Sequence, residues 1–114
     1  MPVIGLDHVQ LAMPAGGEPA ARAFYTGILG IPETPKPSHL AARGGCWFES
    51  PSLKLHLGVD PDFRPAQKAH PGLVVDNLDQ LCANLTVAGH PTTRTSPTQA
   101  YTSDPFGNRL ELLT

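Results

Sequence analysis

The chain is poor in charge, poor in aromatics and nearly without cysteine. Lys, Arg, Asp and Glu make up 16% of its 114 residues, and the net charge is −2. The eight basic residues form no run, so the electrostatic footprint of a nucleic-acid binder is missing. No apolar stretch approaches the roughly 20 residues of a membrane span. Met1-Pro2-Val3-Ile4-Gly5 lacks the basic-then-apolar order of a secretion signal. The two cysteines, Cys46 and Cys82, lie far apart and outside any CxxC, which points to free thiols and a cytoplasmic setting. Nucleophile elbow and phosphate loop are both absent.

Proline and glycine are abundant instead. With 13 Pro and 11 Gly, they form about a fifth of the chain, against a usual share of roughly 12%. Long helices are therefore unexpected, which argues against a coiled coil or a bundle. The glycines have no three-residue period, so collagen is excluded. Hydrophobic residues are 40% of the chain, too many for disorder. One domain of short elements and many turns remains.

Leu6 to Met13 alternates as a strand, with His8 and Gln10 on the face opposite Val9, Leu11 and Met13. Ala20, Phe24 and Ile28 recur at helical spacing, closed by Gly30 and Pro32. Extended pieces follow at His39 to Arg43 and Cys46 to Glu49. Leu53 to Leu57 alternates strictly, with Lys54 and His56 opposite the leucines. Residues 60–69 show neither period and read as a linker. The plan then recurs. His70 to Val75 is a strand. Asp76 or Asn77 caps a helix with Leu78, Leu81, Leu85 and Ala88 on one face, stopped by Gly89 and Pro91. Thr92 to Thr95, Ala100 to Ser103 and Arg109 to Leu113 complete it, the last after the turn Asp104-Pro105-Phe106-Gly107-Asn108. The organisation is β-α-β-β-β twice, with module one at 1–59 and module two at 70–114.

This duplication puts side chains in correspondence. His8 lies five residues before Met13, as His70 lies five before Val75. His56 and Glu111 are equivalent on the two closing strands. If the units pair about a pseudo-twofold axis, all four converge on one cleft. Imidazole and carboxylate are ligands for divalent first-row metals, and three His with one Glu leave open positions on an octahedral ion. Gln10 shares the His8 face. Arg64 and Lys68, in the linker, are placed to hold an anionic substrate group, and Tyr101 to line the cleft. Of Trp47 and Phe48, at most one faces the cleft. His39 and His90 have no equivalent and read as structural.

The sequence resembles the vicinal oxygen chelate superfamily of glyoxalases, bleomycin- and fosfomycin-resistance proteins and extradiol dioxygenases. The residues carrying the resemblance span nearly the whole chain. They are Leu6-Asp7-His8-Val9, Ala23-Phe24-Tyr25 with Leu29-Gly30, His70 with Val75-Asp76, and Asp104-Pro105-Phe106-Gly107-Asn108 with Leu110-Glu111-Leu112. The resemblance implies an α+β fold, two βαβββ modules forming one mixed, strongly curved sheet with helices outside. It implies metal ligands at His8, His56, His70 and Glu111, with Zn, Fe, Ni and Mn not distinguished. It also implies a homodimer in which His8 and His56 of one chain face His70 and Glu111 of the other. One position departs: the bacterial glyoxalases that this resembles carry Glu where this chain has His56. Only Glu111 is then left as a ligand carboxylate to act as base. Fosfomycin-resistance proteins use two His and one Glu, a set that His8, His70 and Glu111 match.

The expected function is a metal-dependent enzyme acting on a small substrate chelated through vicinal oxygens. Its reaction stays open between lyase or isomerase chemistry, thiol transfer and oxygenation. The alternative is a metal-free protein of the bleomycin-resistance type that sequesters a small molecule.

Overall fold

The computed structural model describes all 114 residues. The first strand is β1 (Val9–Met13), shorter than the alternation suggests, with His8 just ahead of it. Helix α1 (Glu18–Tyr25) has Pro in its first turn and buries Ala21, Phe24 and Tyr25. It stops before Ile28, because the chain switches to wider bonds: Gly27 N–H donates to the Arg22 carbonyl, and Leu29 N–H to that of Phe24. Gly30, at φ +76°, then reverses the chain. Gly89 does the same after the second helix, at φ +86°, so the repeated punctuation reflects one left-handed backbone need. A two-residue strand β2 (Glu33–Thr34) follows.

His39 to Arg43 is not extended. It belongs to a short helix, α2 (Ser38–Ala41), and the turn after it. Pro37 presets the helical entry, and Ser-His-Leu-Ala carries no β-branched residue to favour a strand. Next come β3 (Cys46–Ser50) and β4 (Leu53–Val59). The second half holds β5 (Gly72–Val74), α3 (Leu78–Val87), β6 (Thr93–Ser96), β7 (Gln99–Ser103) and β8 (Arg109–Leu113). Asn77 caps α3 by accepting from Gln80 N–H.

The strands form two four-stranded sheets, ordered β1-β4-β3-β2 and β5-β8-β7-β6. In each, the first strand runs parallel to the last, and the other pairings are antiparallel. The expectation of one strongly curved sheet is therefore incorrect. No backbone ladder joins the two sheets, and each stays open. Both β1 and β5 are edges, and β5 is only three residues long. The edge carbonyl of Ala12 on β1 is taken by a side chain, the Asn108 amide, at 2.8 Å. The helices do lie outside, α1 against β3 and α3 against β7.

Alternation separates two faces. Leu55 and Leu57 of β4 and Leu110 and Leu112 of β8 are fully buried with Met13, Phe24, Phe48 and Leu85. Lys54, His56 and Gly58, and Arg109 and Glu111, point the other way. Both cysteines are buried free thiols. No helix is long and apolar enough to cross a membrane.

A buried polar knot ties the halves together. Asp104 Oδ2 accepts from Tyr25 Oη–H at 2.7 Å and from the Asn108 amide at 2.9 Å. Its Oδ1 accepts from the backbone N–H groups of Phe106 and Asn108, both at 2.9 Å. Asn108 Oδ1 in turn accepts from Ala66 N–H. Burial, reinforced by the Asp104 charge, pushes the Tyr25 hydroxyl well above its ordinary range. In the unfolded chain that phenol ionises near pH ~10. Tyr25 therefore stabilises the fold fully below that pH, and the contribution falls away as pH rises towards its folded value. Urea midpoints are expected to drop above about pH 10, and Tyr25→Phe is expected to flatten that drop.

Candidate metal centre

The parallel pairing of β1 with β4 sets Gln10 beside His56 and brings His8 close by. The rings of His8 and His56 stack with centroids 4.6 Å apart. Trp47, the partner of His56 on β3, covers the other ring face at 4.3 Å and 6°. This sandwich buries His56 to 5% exposure on a polar sheet face. His56 Nε2 lies 2.7 Å from Glu49 Oε2. A carboxylate only accepts, so Nε2 carries the proton and Nδ1 keeps its lone pair. That Nδ1 has no hydrogen bond; since no buried polar side-chain atom is unsatisfied, it is open to the cleft. His8 Nδ1 is likewise engaged by Asp7 at 2.8 Å.

The second sheet carries the matching pair. Glu111 on β8 sits beside Gly72 of β5, and His70 lies two residues earlier. His70 Nδ1 donates to the Lys68 carbonyl at 2.8 Å. In the neutral ring Nε2 is then an acceptor, yet it faces Glu111 Oε1 at 3.1 Å. Two acceptors at that distance call for a cation, either a second proton or a metal ion. Gln99 donates to Glu111 Oε2 at 2.6 Å. That bond, then the one to His70, holds the Glu111 carboxyl below its ordinary range and keeps it anionic.

All three rings share one pattern. An acceptor (Asp7, Glu49 or the Lys68 carbonyl) fixes one nitrogen; the second has no hydrogen bond in His8 and His56 and faces Glu111 in His70. Metal-binding histidines are commonly arranged so. The donor set therefore fits a divalent first-row ion. Within one chain, however, no three His, Cys, Asp or Glu side chains converge to hold a metal. The four residues stand as two separate pairs.

Comparison with known proteins decides the family. No family profile matches the sequence, and no curated protein matches it. Among solved structures, a glyoxalase family protein from Bacillus anthracis is 42% identical, with a TM-score of 0.88. The alignment covers 98% of this chain and 95% of that one. The chain belongs to the glyoxalase family, within the vicinal oxygen chelate superfamily. A glyoxalase family protein from Enterococcus faecalis shares the fold at 18% identity and TM-score 0.73, over 96% of this chain and 97% of that one. So does the fosfomycin resistance protein FosX from Listeria monocytogenes, at 16% identity and TM-score 0.77, over 99% and 92%.

In this glyoxalase-family chain the remaining candidates fall around the two pairs. Arg64, Gln10 and His70 border a cleft of about 380 Å³ beside Asn108. Lys68 meets His70 through its backbone carbonyl, not its ammonium group. Tyr101 stands edge-on to His70 at 5.7 Å, and the Arg109 guanidinium lies 4.1 Å over its ring. Phe48 is core, which leaves Trp47 as the cleft aromatic. His39 is exposed on α2, and His90 packs on Phe24 at 4.8 Å. Glu49 and Gln99, which engage His56 and Glu111, were not anticipated. Their parity with Trp47 and Tyr101 places them on the polar faces. Only strand pairing shows which neighbour each one meets.

Proposed function

We propose that the protein is a metal-dependent enzyme of the glyoxalase family that acts on a small substrate bound through neighbouring oxygens. The observation that carries this reading is the set of oriented donors: three histidines each with one nitrogen held by an acceptor, and a Glu111 carboxylate 3.1 Å from the other nitrogen of His70. His8 and His56 form one half-site, and His70 and Glu111 the other. Since each half holds two donors, we assign the complete centre to a homodimer, in which each half meets the complementary half of a second chain. A divalent ion held there supplies a Lewis acid that polarises substrate oxygens.

The protein's own groups do the rest. His8, His56 and His70 are neutral donors, and Glu111 is the anionic one. Glu111 is also the base, its carboxylate plane fixed by Gln99 at Oε2 and by His70 at Oε1. Glu49 orients His56 from behind.

Titration of tag-free protein with Mn²⁺ or Zn²⁺ tests this reading. One ion bound per chain is expected. Glu49→Ala is expected to weaken binding about 10–100-fold, as loss of an outer partner does, read by competition with a chromophoric chelator. Failure to take up any divalent ion, with retained binding of small molecules, would favour the sequestration alternative and sink the enzyme reading.

A further inference from the structure

The sheet face that carries His56 continues into a cavity of about 280 Å³ that the metal centre does not use. Gly58 forms its floor, two residues along β4 from His56 and so about 7 Å away. The floor stays low because the residue is glycine. A Cβ there would lie 2.4 Å from Gln10 Nε2, which lies across it. Trp47, stacked on His56 by one face, makes a wall, and Leu40 of α2 contributes apolar surface.

The rim is cationic. Lys36 and Arg43 both line the cavity, and no Asp or Glu does. Lys36 Nζ donates to the Gly44 carbonyl and keeps two further N–H groups. Neither residue takes part in an ion pair. The nearby Glu18 carboxylate is engaged by Gly45 N–H at 2.8 Å. A guanidinium and an ammonium outside any direct ion pair, with the Glu18 carboxylate near Lys36 but held by Gly45 N–H, around a small pocket with one aromatic wall, are a receptor for an oxyanion. At this volume the pocket falls just below the range for drug-sized ligands, which selects a small acid.

We propose that this cavity binds the anionic end of the substrate, a carboxylate or phosphate-type group on a small molecule, held by Lys36 and Arg43 with its body against Trp47. Calling that ligand the substrate rests on the enzyme reading above; the anion site itself needs no metal.

Trp47 is the only tryptophan, so its fluorescence reports on the cavity directly. Metal-stripped full-length protein is titrated at low ionic strength with acetate, with inorganic phosphate and with uncharged acetamide. Saturable change is expected with at least one anion and none with acetamide. The tighter of acetate and phosphate identifies the group. Lys36→Met and Arg43→Met are each expected to raise the apparent Kd about tenfold or more. Both side chains stand at the rim, and circular dichroism confirms that each variant folds. No saturable response to either anion up to about 100 mM, an equal response to acetamide, or variants that titrate like wild type would overturn the proposal. A chain that binds phosphate but no metal keeps this site and loses the enzyme reading. One that binds metal but neither anion does the reverse.

Discussion

Asp104→Ala is expected to cost about 3–5 kcal/mol of folding stability, a large share of the 5–15 typical of a domain. Asp104 is 4% exposed, and its two oxygens accept four hydrogen bonds. Truncation removes every acceptor at once and leaves the Tyr25 hydroxyl and two backbone N–H groups in a dry place. Each buried donor left so costs about 1–3 kcal/mol, partly relieved by water or by local movement. Asp104→Asn is expected to cost less, since its carbonyl oxygen still serves the turn N–H groups. Tyr25→Phe is expected to cost least, about 1–2 kcal/mol, because it deletes one bond and leaves Asp104 three others. Urea unfolding of the three variants gives the order. Equal losses for Tyr25→Phe and Asp104→Ala would mean that the Asp104 bonds within the turn add nothing beyond the bond to Tyr25.

Removing a proposed ligand is expected to have the largest functional effect. Glu111→Ala or His70→Ala is expected to lower metal affinity more than a hundredfold, beyond the ~10–100-fold range of outer partners such as Glu49. Glu111 is the only anion among the four proposed donors, so its loss would also leave a bound ion's charge less compensated. Gln99→Ala is expected to fall between wild type and Glu111→Ala, because it frees one carboxylate oxygen without removing the charge. These variants keep the core intact, since Glu111 points away from Leu110 and Leu112. Chelator competition reads the affinities, and unchanged metal content in His70→Ala would show that the ligand assignment is wrong.

Much of this was legible in the sequence where one physical period dominates. Phe24 and Tyr25 announced α1, but Gly30 and Pro32 set its end beyond Ile28, where the helix has already given way to a turn. Leu110 and Leu112 around Glu111 gave β8 residue for residue. The equivalence of His8 with His70, and of His56 with Glu111, came from the repeat alone. The segment His39 to Arg43 was misread, because so short a piece between prolines has no period to distinguish strand from helix. Sheet closure was misread for a different reason. Whether β1 and β5 join a ladder depends on what satisfies their edges, and one edge is met by the Asn108 side chain. Glu49 and Gln99 escaped notice because their roles depend on strand register. Alternation gives a residue its face but not its neighbour across the strand. Lys36 and Arg43 reach the cavity only because α2 and its turn fold over β4.

The central claim is that a metal centre is built from two chains. A mixed dimer tests it most directly. One chain carries His8→Ala with His56→Ala, the other His70→Ala with Glu111→Ala, each with a different histidine-free affinity tag. Neither variant alone retains an intact site. In the purified mixed dimer, pairing between chains reunites the four native donors at one of the two sites. One metal ion per mixed dimer is predicted by elemental analysis, with none in either parent dimer. A mixed dimer as empty as its parents would contradict the account.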